Sequence, residues 1–282
     1  MNRSRERRWP ATAGRRAPPL LGFLACALLT SVAWAQIDVP SGLADVHRAA
    51  PGDVIEGTVR VSNDGARPRT VALSLWDHRV RPEGDGWVAA GTLPRSAAPW
   101  IDVPSVVRVG PGETREVAYR LRVPTEGVDG TYWVTLMVRP RTEGDAATDD
   151  SARTEVGLRP VRRFAVELVA DVGGVERSRL AIDDVGLERD GDALTLDLAL
   201  HNEGGRWVRR PSLEARILDP ETGERVHTVR TGVRTLYPGA GTRARLELGE
   251  LPPRRLRLLV LARDDAGDVA AVRFDLDPPP DP

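Results

Sequence analysis

A chain of 282 residues exceeds the roughly 100–200 residues typical of one domain, so length alone sets an expectation of one or two. Its 40 basic residues, all arginine, face 41 acidic ones; without the six arginines and one glutamate of the first 35 residues the balance is 34 − 40 = −6, which excludes a general nucleic-acid-binding face. The one cysteine, Cys26, lies in the apolar N-terminal stretch, so a chain trimmed there has no disulfide, thiol nucleophile or cysteine metal site.

That stretch reads as an export leader. Arg3, Arg5, Arg7, Arg8, Arg15 and Arg16 precede LLGFLACALLTSVAWA, and Ala33-Trp34-Ala35 sets small residues at both positions a signal peptidase reads. Residues 1–35 are expected to be cleaved, leaving Gln36 first. The apolar run is shorter than the ~20 residues that span a bilayer, and no later run is longer, so no membrane span is expected in the mature chain. Leu24 stands where a lipoprotein cleavage box wants a small residue, which argues against lipidation at Cys26. The expected location is periplasmic or secreted.

Beyond residue 36 the apolar residues alternate rather than recur every 3.6 positions, which is the signature of half-buried strands. Ile55, Gly57, Val59 and Val61 share one face of a strand that ends in Asn63-Asp64-Gly65, and Val71, Leu73 and Leu75 share a face of the next. In TREVAYRLRVP the inward set is Val117, Tyr119, Leu121 and Val123. GTYWVTLMVRP, residues 130–140, is apolar on both faces and suits a central strand. Residues 141–152, RTEGDAATDDSA, form a polar loop before the last strand of this half.

The second half repeats the plan. Leu194, Leu196, Leu198 and Leu200 lead into Asn202-Glu203-Gly204, followed by Leu213, Ala215 and Ile217. After Pro111-Gly112 apolar residues fall 6, 8 and 10 places beyond the proline, at Val117, Tyr119 and Leu121; after Pro238-Gly239 they fall at the same offsets, at Ala244, Leu246 and Leu248. Shared spacing of this kind points to one supersecondary plan used twice. Asn63 and Asn202 are read as structural turn residues, because an asparagine side chain bonds its own backbone two residues on. Many short strands punctuated by Gly-rich turns imply an all-β chain of two immunoglobulin-like β-sandwich domains in tandem, with residues 36–172 in the first, 173–277 in the second, and 278–282 as a disordered tail.

Chemistry-bearing clusters are scarce. His47, His78, His201 and His227 have no metal-ligand spacing. Ser74, Asp77 and His78 are close in sequence but alternate faces along one strand, so no catalytic triad and no enzyme is expected. Asp264, Asp265 and Asp268 lack the spaced ligands of a calcium loop, and neither metal nor cofactor is implied. Five tryptophans remain after the leader; Trp87 and Trp207, flanked by Gly and Arg, are the candidates for exposed rings that stack on sugars.

Three segments, VRVSNDGARPRTVALSLWD, APWIDVPSVVRVGPGETREVAYRLRVP and GTYWVTLMVRP, followed by a loop and a final strand, resemble the first domain of the periplasmic pilus-assembly chaperones and the wider bacterial immunoglobulin-like envelope proteins. The resemblance covers residues 36–172. It implies a basic pair that anchors a partner's terminal carboxylate, which counting back from Asn63 places first at His47 or Arg48, with Arg48 preferred, and second at Arg162 or Arg163, with Arg163 preferred. It also implies a last strand that offers alternating apolar residues to the partner, here Val156 and Leu158; Pro160 removes an amide from that strand. Two non-enzymatic readings follow. One is a chaperone-like protein of the envelope that takes up a strand of a pilus or other envelope protein, and the other is a surface module that binds wall glycan or another envelope protein.

Overall fold

The structure, a computed structural model, describes residues 37–141, 162–191 and 193–277. The leader 1–35, Val156, Leu158 and the tail 278–282 lie outside the described residues.

The described residues are all-β apart from one 3-10 turn, Ala98–Trp100, and form the two successive immunoglobulin-like sandwiches that the alternation implies. The first is built from β1 (Ile37–Asp38), β2 (Ala44–Ala49), β3 (Val54–Asn63), β4 (Arg69–Arg79), β5 (Gly86–Ala89), β6 (Ile101–Asp102), β7 (Val106–Val109), β8 (Thr114–Arg122), β9 (Gly130–Pro140) and β10 (Phe164–Val172). One sheet runs β1-β3-β8-β6; the facing sheet runs β2-β10-β9-β4-β5, with β7 also paired to β4. The chain's first strand therefore changes sheets. Its β1 part pairs antiparallel with β3, and its β2 part pairs parallel with β10.

Strand faces follow the period-two pattern. Val59, Val61, Val71, Leu73, Val117, Tyr119, Val134, Leu136, Val138, Val166 and Leu168 are buried together between the two sheets. The second sandwich uses β11 (Leu180–Asp190), β12 (Ala193–Asn202), β13 (Ser212–Leu218), β14 (Arg225–Gly232), β15 (Gly241–Glu250), β16 (Leu256–Arg263) and β17 (Val269–Leu276), in sheets β11-β12-β15 and β14-β13-β16-β17. Its core is leucine-rich, with Leu196, Leu198, Leu200, Leu213, Leu246, Leu248 and Leu258 at its centre. At ~25 cal/mol per Å² of apolar surface, such burial is the main stabilising term in each sandwich.

The two asparagines and the two Pro-Gly turns belong to one device. Asn63 is fully buried; its Nδ2 donates to Arg67 O (2.8 Å), Val109 O (3.1 Å) and Gly110 O (2.9 Å), and its Oδ1 accepts from Gly65 N (3.1 Å). Its own carbonyl accepts from Gly112 N (2.8 Å), the glycine of the Pro-Gly turn. Asn202 does the same with Arg206 O (2.8 Å), Leu236 O (3.1 Å) and Gly204 N (3.1 Å), and its carbonyl accepts from Gly239 N (2.8 Å). Gly112 and Gly239 have φ of 66° and 74°, which an L side chain rarely adopts. Gly204 is required differently: a Cβ there would sit 2.3 Å from Arg177 O.

Between the sandwiches the chain is pinned. The Asp129 carboxylate accepts the amides of Gly174, Val175 and Glu176 at 3.1, 3.3 and 2.7 Å, and those bonds hold its pKa below the usual carboxylate value. A Cβ at Gly173 would meet the same carboxylate at 2.1 Å. Gly173 is thus a fitted corner residue.

Candidate functional site

Among the described residues, the last strand of the first sandwich has one side only partly covered. β9 pairs with β10 along its whole length, from Phe164 to Val172, whereas β2 pairs with it only from Glu167 to Val172. Glu167 N donates to Leu43 O (2.9 Å) and Gly173 N to Ala49 O (3.1 Å), so the odd-numbered residues point their backbone groups toward β2. By the same parity Arg163 and Ala165 direct their main-chain N–H and C=O to that side beyond the end of β2. Their neighbours Phe164 and Val166 face the core. A short row of main-chain donors and acceptors, backed by a rigid sheet, is an acceptor site for an added strand.

A polar cluster fastens β2 beside it. The Tyr119 hydroxyl donates to Asp45 Oδ2 (2.6 Å) and lies 2.6 Å from His47 Nε2. Tyr119 sits across from Gly57 in the ladder, and a Cβ at Gly57 would fall 2.2 Å from the phenol Cζ, so the glycine makes the space the ring fills. Burial first, and then the bond to Asp45, drive the phenol pKa well above its ordinary value. The hydroxyl stays protonated and the bridge from sheet to sheet persists.

The outer face of the same sheet carries the second sandwich at one end. Trp133 and Val169 pack with Val80, Tyr237 and Ala240, and the Trp133 and Tyr237 rings stack with centroids 4.5 Å apart at 14°. Tyr237 OH donates to Glu167 Oε2 (2.6 Å), and Arg206 Nη1 meets Asp171 Oδ1 at 2.6 Å. Aromatic pairs of this kind add ~1 kcal/mol beyond the area they bury. Beside this contact opens a cleft of about 810 Å³ lined by His78 and by the cations Arg79, Arg81, Arg95, Arg177 and Arg179; Glu176 and Glu203 pair with Arg95 (3.4 Å) and Arg179 (3.2 Å). His78 is pulled below the usual imidazole value, by burial first and against the attraction of Asp85.

The residues expected from the sequence are distributed as follows. Arg48 is exposed on β2, opposite Asp171 of β10. Arg163 is exposed just before β10 begins. Eight residues of strand separate positions 163 and 171, ~26 Å at ~3.3 Å per residue, so Arg48 and Arg163 do not form one clamp for a carboxylate. The alternative His47 points inward at Tyr119, and Arg162 lies over the Phe164 ring at 5.3 Å. Trp87 is exposed as expected from its neighbours. Trp207 is a correction: its ring is half-buried, stacked on Tyr237 (5.7 Å) with Arg209 over it at 5.6 Å, and it closes the contact between the sandwiches. Asp77 is buried and accepts from Ser96 Oγ (2.6 Å) and Leu93 N (2.8 Å), holding a loop. The arginines of the cleft escaped the sequence reading because they come from three separate segments and share no spacing.

No family model and no curated protein matches the chain. Among solved structures it is similar to the class 5 fimbriae chaperone CfaA, at 11% identity and a TM-score of 0.45, covering 86% of this chain and 100% of that one. It is similar also to the CupB2 chaperone of Pseudomonas aeruginosa, at 15% identity and a TM-score of 0.36 over 85% of this chain and 100% of that one. A third similar structure is the CsuC–CsuE chaperone–tip adhesin subunit pre-assembly complex from archaic chaperone-usher pili of Acinetobacter baumannii, at 11% identity and a TM-score of 0.42, over 86% of this chain and 98% of that one. The likeness is one of architecture.

Proposed function

We propose that this chain is an exported, non-enzymatic, chaperone-like protein of the cell envelope that captures a pilus or other envelope protein by strand addition. The observation that carries the reading is the stretch of β10 before Glu167, which β9 pairs on one side and β2 leaves uncovered on the other. In this reading residues 36–172 form the binding sandwich, residues 173–277 brace it through Trp133, Tyr237 and Arg206, and cleavage after Ala35 delivers the protein to the periplasm or beyond. A partner strand laid beside Arg163 and Ala165 gains main-chain hydrogen bonds worth ~0.5–1.5 kcal/mol each, whatever its sequence.

The test is Ala165→Pro. Proline removes one of the two amides that face the open side and leaves the β9 ladder intact, since the Ala165 N–H does not point to β9; edge positions tolerate proline on such grounds. A partner captured from envelope extract by the wild-type chain, and photo-crosslinked from position 163, is expected to be lost with Ala165→Pro and kept with Ala89→Pro on the opposite edge strand β5, where the amide points away from β4. Equal capture by Ala165→Pro, with circular dichroism unchanged, refutes strand addition at β10.

A further inference from the structure

The outer face of the first sandwich carries a second site beyond the contact with the second sandwich. Along β9 its outward residues run Trp133, Thr135, Met137 and Arg139; the first two are buried and the latter two line an open groove of about 640 Å³. The groove is completed by Ala72, Ser74 and Trp76 of β4, Trp87 of β5, Val106 of β7, Arg141, and Arg163 and Ala165 at the start of β10. Trp76 and Trp87 are exposed to 39% and 44%, unusual for indoles on a sheet that otherwise packs its aromatics away.

Both indoles are held in place. Trp76 Nε1 donates to Ser74 Oγ at 3.0 Å, and Trp87 stacks on His78 with ring centroids 4.2 Å apart at 18°. In the β4–β5 ladder Trp76 is opposite Ala89 and His78 opposite Trp87, which makes the two indoles diagonal neighbours on one face, ~7–8 Å apart at the backbone. Platforms fixed in this way lose little freedom on binding. Two exposed guanidinium groups, Arg141 and Arg163, share the groove beside Arg139, and among the described residues its lining contains no acidic residue, although acids outnumber arginines in the chain after residue 35.

We infer that this groove binds an acidic saccharide chain, with sugar faces on Trp76 and Trp87 and carboxylates on Arg141 and Arg163. Flat apolar rings stack on indole faces, and planar guanidinium forks match carboxylates in two-bond geometry. The floor of the groove favours side-chain recognition: there β4 and β9 pair with each other from Val71↔Pro140 to Trp76↔Thr135 and present side chains, and open main chain is confined to its margin at Arg163 and Ala165. The site lies on the sheet face and acts without strand addition, so the two readings stand or fall separately.

The test is titration calorimetry on the mature chain with three probes of similar length: a galacturonate oligomer, a neutral glucose oligomer and hexaglutamate. The galacturonate oligomer is expected to bind, to weaken as salt rises from about 50 to about 500 mM, and to lose about tenfold or more in affinity with Trp87→Ala, Trp76→Ala or Arg163→Gln. The neutral oligomer and hexaglutamate are expected to bind at least about tenfold more weakly. All three substituted residues are exposed or line the surface groove, and Arg60→Gln, on the opposite sheet, is the control for surface charge. Absence of galacturonate binding at millimolar concentration overturns the inference. So does hexaglutamate binding of equal strength, or galacturonate binding that survives both tryptophan substitutions.

Discussion

Replacing Asn63 by alanine removes a side chain that closes a turn, a crossover and a strand end at once. Its two N–H donors are shared among three carbonyls, of Arg67, Val109 and Gly110, and its Oδ1 satisfies Gly65 N. That amounts to three full bonds in a fully buried site, at ~1 kcal/mol each, or ~3 kcal/mol in all, with more if the Val109 carbonyl finds no water. With a urea m-value of ~2 kcal/mol/M the unfolding midpoint falls by ~1.5 M. Asn202→Ala is expected to cost about the same, because Asn202 donates to two carbonyls and accepts from Gly204 N and Arg179 N. Asn63→Asp separates this account from a simple cavity effect: it keeps the shape and the Oδ1 acceptor but turns a donor into an oxygen facing carbonyl oxygens. Its folded-state pKa is raised above the ~3.9 of an unfolded aspartate, so the penalty is greatest at neutral pH and eases as pH falls through the raised value, where the neutral acid donates one bond. Urea denaturation followed by circular dichroism at neutral and mildly acidic pH measures all three. The reasoning is refuted if Asn63→Ala and Asn63→Asp both lie within ~0.5 kcal/mol of wild type.

Other consequences are equally direct. Glu214 is buried and bonded to Arg216 (2.7 Å) and Arg230 (3.1 Å), the first more strongly, which lowers its pKa from 4.5 to about 2. A depressed carboxylate stabilises the fold above its unfolded pKa and loses that contribution as pH falls, here from 4.5 toward 2. Glu214→Gln is expected to be less stable at neutral pH and to show a shallower acid loss in that window, read from melting temperature against pH. Gly57→Ala forces a Cβ into the Tyr119 ring and is expected to cost ~1–3 kcal/mol; Tyr119→Ala in the same chain should abolish that increment, and a plain sum of the two effects in thermal melts would contradict the clash. Tyr237→Ala removes the stacks on Trp133 and Trp207 and the bond to Glu167. The two sandwiches are then expected to melt in two calorimetric steps, whereas an unchanged single transition would place their coupling elsewhere.

Period-two alternation was enough to assign the inward faces. Val117, Tyr119, Leu121 and Val123 are all buried, as are Leu194, Leu196, Leu198 and Leu200, because side-chain direction along a strand is a local property of the pleat. The two-faced apolarity of residues 130–140 likewise announced a strand covered on both sides, and β9 has the core on one face and, at Trp133, the second sandwich on the other. The asparagines and the Pro-Gly turns were each visible as repeats, since both are short-range devices, but their union was not: Asn63 and Gly112 are bonded across 49 positions. Strand order decided the rest. It places Arg48 and Arg163 at opposite ends of β10, lets β2 cover only part of that strand, and brings Tyr237 over Trp207, whose glycine and arginine neighbours read as exposed. It also gathers the cleft arginines from separate segments and brings Met137, Arg163 and Ala165 to the Trp76–Trp87 hairpin. Which edges meet depends on the free energy of pairing and packing whole sheets, a quantity that no window of a few residues contains.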